Sequence, residues 1–291
     1  MLIKDSLLLT KKTQPMIKTV FVFVIPFLSL TKVNAQYYYK DILSTKQVIA
    51  EMAQLKEQKI KTVSLKSFED DGSPSEGFFC EKRLSKNYST AEMLTKSFVT
   101  GASVFTSSFN NKGLLIQTID SSEISSSTSV YSYADNDKIK SIVSIVRSSD
   151  DDFKNEIREE HLYEYDEKGL PIKMIRIKNS GDSTIFLFST DEKNNISIEK
   201  NTKTGDTYYY YYDTKNRITD VVRLNQFNQK MLPDYIFEYN NAGSVTQMTT
   251  TEEGGSYYFI WKYTYDNGLR IKEKCFSKEK RLMGTIEYEY K

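Results

Sequence analysis

Tyr163 to Leu170 reads YEYDEKGL, and Tyr210 to Ile218 reads YYYDTKNRI. In both, two aromatics on one strand face precede an Asp, a Gly or Asn stands three positions after it, and Leu or Ile follows. An Asp or Asn opening a tight turn accepts from backbone N–H groups two residues on. Gly or Asn in the third position after it tolerates positive φ. The pattern predicts a hairpin whose type I turn closes into a bulge.

Related segments recur along the chain: SSFNNKG from Ser107, YSYADND from Tyr131, FSTDEKN from Phe188, FEYNNAG from Phe237, YTYDNG from Tyr263 and YEYK from Tyr288. The turn-opening positions are Asn110, Ala134, Asp166, Asp191, Asp213, Asn240, Asp266 and Lys291, at intervals of 22 to 32 residues. Period and motif agree over about 180 residues, the mark of a repeat architecture. Asp166, Gly169, Asp191, Asp213, Asn240, Gly243, Asp266 and Gly268 are the expected turn-forming residues. Tyr257, Phe259, Trp261, Tyr263 and Tyr265 alternate along one strand, as do Tyr235, Phe237 and Tyr239.

Fourteen or so strands at about 4.8 Å would make a flat sheet roughly 65–70 Å wide, with an aromatic face that water cannot be left to cover. Open sheets rarely pass about ten strands without curling or splitting. Ile42, Leu43, Val48, Ile49, Met52 and Leu55 give residues 40–60 an amphipathic helical period. The expected fold is therefore mainly β: a curved antiparallel meander of repeated hairpins (101–291), with a small helical or mixed N-terminal segment (36–100) capping one end.

The repeated Y-x-Y-D-x-x-G-x-[LI] resembles the YD repeat of the RHS family of secreted bacterial proteins, over roughly residues 105–291. The nearest copies are Tyr163-Glu164-Tyr165-Asp166 with Gly169 and Leu170, and Tyr210-Tyr211-Tyr212-Asp213 with Ile218. The resemblance implies a long coiled β-sheet. Large members wrap a shell around a C-terminal toxin, whereas this chain, with about seven repeats, looks more like short exported members.

Upstream, Met16 and Lys18 precede an apolar run from Val20 to Leu30, and Val33-Asn34-Ala35 places small or β-branched residues before Gln36. That order is a secretory signal peptide, residues 1–35, with 1–15 as an upstream extension. The rest of the chain keeps 35 Lys and Arg against 38 Asp and Glu. It holds no further stretch apolar enough for a spanning helix. The expected location is exported: periplasmic, cell-surface or extracellular.

Composition narrows the function. The 38 aromatics argue against disorder, and near-neutral charge gives no case for nucleic acid. Two cysteines make neither a disulfide framework nor a four-thiolate zinc site. Cys80 and Cys275 either pair or remain separate thiols. His161, the sole histidine, falls in phase with Tyr163, and no G-x-S-x-G elbow accompanies it. Asp150-Asp151-Asp152 lacks calcium-loop spacing. No catalytic residue, metal or cofactor is expected. Tyr209, Tyr211 and Tyr258 are out of phase with the motif tyrosines, and exposed aromatics there suit a sugar ring or a partner protein.

The leading expectation is an exported, non-enzymatic scaffold or binder of protein or glycan at the cell envelope. A carbohydrate-active enzyme with a carboxylate pair and an outer-membrane β-barrel are the alternatives. Expressed in an exporting bacterium, the product should begin at Gln36 by N-terminal sequencing; a product keeping residues 1–35 refutes the leader.

Overall fold

The computed structural model describes residues 37–149, 156–179, 181–224, 229–252 and 257–291. Residues 1–35, the expected leader, and Asp150-Asp151-Asp152 lie outside them. Helical residues come first: a π-helical stretch, Tyr38–Leu43, runs directly into α1, Ser44–Glu57. Eighteen strands follow. They are β1 Thr62–Phe68, β2 Phe79–Leu84, β3 Thr90–Ser97, β4 Gly101–Phe109, β5 Leu115–Ser122 and β6 Ser125–Tyr133. Next come β7 Ile139–Ser148, β8 Glu156–Tyr165, β9 Pro171–Lys178, β10 Ser183–Thr190, β11 Ile196–Asn201 and β12 Thr207–Tyr212. The last are β13 Ile218–Leu224, β14 Met231–Tyr239, β15 Val245–Thr251, β16 Tyr258–Asp266, β17 Leu269–Ser277 and β18 Leu282–Tyr290.

Each strand pairs antiparallel with its neighbours in sequence, and β1 pairs with β18, Val63 opposite Tyr290 and Leu65 opposite Tyr288. The sheet is thus a closed up-and-down barrel, not the open curved meander the repeats predict. Closure removes both rows of unpaired edge groups that an open sheet presents. The β3 and β2 strands, in the segment expected to be helical or mixed, and β1 before them, complete the ring.

The repeat turns all lie at one end of this barrel, and their geometry is the predicted one. At Asp166 the backbone N–H donates to the Leu170 carbonyl, Gly169 N–H donates back to the Asp166 carbonyl, and Asp166 Oδ1 accepts from Leu170 N–H at 2.8 Å. Asn110, Asp191, Asp213 and Asn240 repeat the arrangement. The positive-φ position falls to Gly169 or Gly243 in some copies and to Asn194 or Asn216 in others. A register shift follows each turn. The short copy at Asp266 is a two-residue turn, Asn267 and Gly268 both at positive φ.

The tyrosine just before each turn has its own task. Tyr133, Tyr165, Tyr212, Tyr239, Tyr265 and Tyr290 donate their hydroxyls to the carbonyls of Leu115, Ile139, Ile196, Ile218, Val245 and Arg270. These acceptors stand just past the preceding repeat's turn, where the bulge interrupts the ladder. Wherever that tyrosine is present, the repeat is therefore latched to the one before it.

The aromatic one position further from the turn on the same face fills the interior: Tyr163, Phe188, Tyr210, Phe237 and Tyr263 are buried. About eight strands give a barrel that side chains alone can fill; a ring of this size needs more. The helical segment supplies it. It lies within the ring instead of capping an end, with Ile42 in the aromatic cluster and Met52 and Leu55 against Val63, Leu65, Cys80, Leu84 and Phe109.

The outer surface carries alternating charge. Arg147–Glu156 (2.9 Å), Lys173–Glu164 (2.6 Å), Lys272–Glu287 (2.8 Å) and Lys66–Glu289 bridge neighbouring strands in partly exposed positions. Replacing Tyr165 or Tyr239 by Phe should cost about 1–2 kcal/mol in urea unfolding, the price of a half-buried carbonyl left unmet, while Tyr211→Phe should leave the midpoint unchanged.

Candidate functional site

Tyr209 and Tyr211 project outward from β12 because Tyr208 and Tyr210, between and beside them, are fixed inward by the core. Tyr209 stands opposite Ile198 on β11 and Val222 on β13. With Ser197 and Ile198 they line a shallow depression of about 440 Å³ whose rim is built by two turns, Asp191-Glu192-Lys193 and Asp213. Tyr211 remains 48% exposed. The rim carboxylates differ in availability. Asp191 accepts from Lys193 and Asn195 N–H, and its carboxyl is held below its usual range by the Asn195 and Lys193 hydrogen bonds, against the opposing effect of burial. Asp213 is held down by backbone and side-chain hydrogen bonds from Arg217. Glu192 and Lys193 are exposed.

Along the adjoining outer wall, Ile175 faces Ile185, and Leu187 and Ile172 extend an apolar strip toward Ile198. The third out-of-phase tyrosine, Tyr258, opens β16 at the other end of the barrel wall and is 38% exposed. Two of the three out-of-phase tyrosines thus line one depression and the third does not.

Cys80 and Cys275 are both buried and unpaired. Cys80 faces the Leu65–Tyr288 row, whereas Cys275 faces Gly284. Three strand steps, roughly 14 Å, separate their strands, so the considered disulfide does not form; a bond needs Cα atoms within about 7 Å.

The interior holds a polar cluster that sequence reading missed apart from His161. His161 is 9% exposed, in phase with Tyr163 as predicted. Its Nδ1 meets Asp41 Oδ2 at 2.6 Å and its Nε2 meets Glu159 Oε1 at 2.8 Å; the Tyr163 hydroxyl donates to the same Asp41 oxygen. Burial alone would lower the imidazole's affinity for protons, but the Asp41 charge and the two carboxylate contacts outweigh it and push it up to about 9. Next to it, Glu199 is 1% exposed. It accepts from Tyr37 N–H at 2.9 Å, Tyr38 N–H at 3.0 Å and the Tyr210 hydroxyl at 2.7 Å. Burial raises its carboxyl to about 7 despite those donors.

Tyr37, Tyr38 and Tyr39 each find a ring partner here. Tyr37 sets its edge to His161 and Phe186 at 4.6 Å, Tyr38 to Tyr210 at 5.2 Å, and Tyr39 stacks on Tyr235 at 4.9 Å. The cluster ties the helical segment to the wall. It contains a carboxyl of raised proton affinity, but Tyr37 and Tyr38 cover that group. The one available signal was the run of three tyrosines just before the helical period.

Among the described residues no group of His, Cys, Asp and Glu is placed to hold a metal ion, and no helix is long and apolar enough to cross a membrane.

No family model and no curated protein match the chain. Solved structures show loose likenesses. One is to the TcdB2-TccC3-TEV structure, at 13% identity and TM-score 0.33, covering 74% of this chain and 12% of the other. Others are to porin-like proteins from Bacteroides uniformis, at 12% identity and TM-score 0.37, and Bacteroides vulgatus, at 11% and 0.29, each covering 80% of this chain and 98% of the other. The chain thus spans about an eighth of the first of these and nearly the whole of the other two.

Both interior groups bind protons more tightly folded than unfolded, so each contributes stability at low pH that is lost as pH rises, through about 7 for Glu199 and about 9 for His161. Urea unfolding across pH 6.5 to 9.5 should show the wild type losing on the order of 2–3 kcal/mol that His161→Gln does not lose. Equal slopes in the two proteins would remove His161 from the account.

Proposed function

We propose that the chain is an exported, plugged β-barrel of the cell envelope that acts by binding and not by bond-making chemistry, through the outer face of β9 to β12. The observation that carries this reading is the distribution of side chains across the wall. Aromatics and the helical segment fill the inside, so a partner meets the barrel from outside. There the surface around β16 to β3 is rich in charge, with Lys262, Lys272, Glu287, Lys66, Glu81 and Glu92 facing out and Phe79 and Tyr258 exposed among them. Around β9 to β12 it turns to Ile172, Ile185, Leu187 and Tyr211. Closure leaves no strand edge for a partner to extend, so recognition falls to side chains. His161 and Glu199, two buried groups of raised proton affinity, hold the plug in place, which supports the non-catalytic reading.

Membership of the YD-repeat class belongs to the same proposal. It is supported by the role each motif position plays: turn-opening carboxylate, positive-φ residue, latching tyrosine, inward aromatic.

An outer-membrane barrel is the second reading. It is favoured by closure into an even number of antiparallel strands and by the Ile and Leu residues on the outside of β9 and β10. Membrane barrels carry an apolar outer band and a polar inside, the reverse of most of this wall, so the first reading is preferred.

Residues 36–291, exported and purified, should remain monodisperse without detergent and leave the membrane fraction on carbonate washing. Strict dependence on detergent would transfer the proposal to the membrane reading.

A further inference from the structure

We infer that the Tyr209–Tyr211 depression is a binding site for a neutral oligosaccharide; this rests on the proposal that the outer face of β9 to β12 is the working surface. Tyr209 and Tyr211 stand two residues apart on one face of β12, about 7 Å along the strand. Neighbouring pyranose units of a sugar chain can each meet one of the two phenols, and their C–H faces pack on phenol rings as aromatic side chains pack on apolar surface generally. Ile198, opposite Tyr209, extends this floor. The sugar's hydroxyls require both donors and acceptors around the floor. The rim offers Lys193 and the tyrosine hydroxyls as donors, and Glu192 and Ser197 as acceptors.

Other occupants fit less well. Carboxylates on both sides, Asp191 with Glu192 and Asp213, disfavour a phosphate-rich or otherwise anionic ligand. A peptide strand has no free edge to join, since β11 is paired to β10 and β12 and β12 to β11 and β13. An amphipathic helix needs an apolar groove several turns long, whereas this depression is closed at one end by two charged turns. The floor is also rigid before any ligand arrives: Tyr210 and Tyr212, alternating with the two platform residues, are fixed by Glu199 and by the Ile196 carbonyl. A preformed platform avoids the cost of ordering side chains on binding.

The test is titration of residues 36–291 with maltohexaose, cellohexaose and chitohexaose, followed by calorimetry and tyrosine fluorescence. At least one should bind with a millimolar or tighter dissociation constant. Tyr209→Ala and Tyr211→Ala should each weaken that binding about tenfold, with thermal midpoints close to the wild type. Tyr258→Ala, an exposed tyrosine outside the depression, should leave it unchanged. Absence of binding by all three sugars at 10 mM, or equal loss on Tyr258→Ala, overturns the site. A detergent-free, correctly exported protein that binds none of them would sink the sugar and keep the water-facing barrel; a detergent-dependent protein would sink the barrel reading itself.

Discussion

A tyrosine hydroxyl reaching back to the carbonyl of the previous repeat is the contact on which the barrel depends. A bulged hairpin leaves its ladder interrupted just beyond the turn, and a carbonyl there that is withdrawn from water must find a donor. The residue one repeat later supplies it. Where the corresponding position is Phe109 or Thr190, no phenol exists and this latch is missing. Latch and turn together explain why Tyr, Asp and Gly recur at fixed offsets although the intervals between repeats vary.

The second constraint is volume. A ring of this many strands encloses more space than its own side chains fill, and apolar rings lining it need partners within contact distance. The helical segment provides them, and its own polar requirements are met from the wall: Glu199 receives the backbone N–H groups of Tyr37 and Tyr38, and Asp41 is met by His161 Nδ1 and the Tyr163 hydroxyl. Buried charges of this kind are tolerable only as a complete network. Here each carboxylate has at least one donor aimed at it.

Much of this was legible in the residues. The turn chemistry at Asp166, Asp213 and Asn240, the inward stripe through Tyr163 and Phe237, and the helical period of Ile42 to Leu55 all read correctly because each depends on neighbours close in sequence. Closure did not, since it depends on Val63 meeting Tyr290 across the whole chain, and β1 to β3 lack the aromatic motif. Nor did the plug, because Tyr37 to Tyr39 look like any tyrosine run until the wall they pack against is known. Tyr209 and Tyr211 were separable from Tyr210 by phase alone. Their union with the two flanking turns, and the exclusion of Tyr258, required the register.

The seam between β1 and β18 imposes an order of events. In synthesis from the amino end, the strand that must receive the final one is made near the start, and it waits with one side unmatched while the others assemble. Lys61 and Thr62 then bond the carbonyl of Lys291, and Lys291 bonds back to Thr62. Until that junction forms, the helix lies in an open trough instead of an enclosed lumen, and both margins of the growing sheet can capture a stray strand. Both margins are covered only once β18 meets β1.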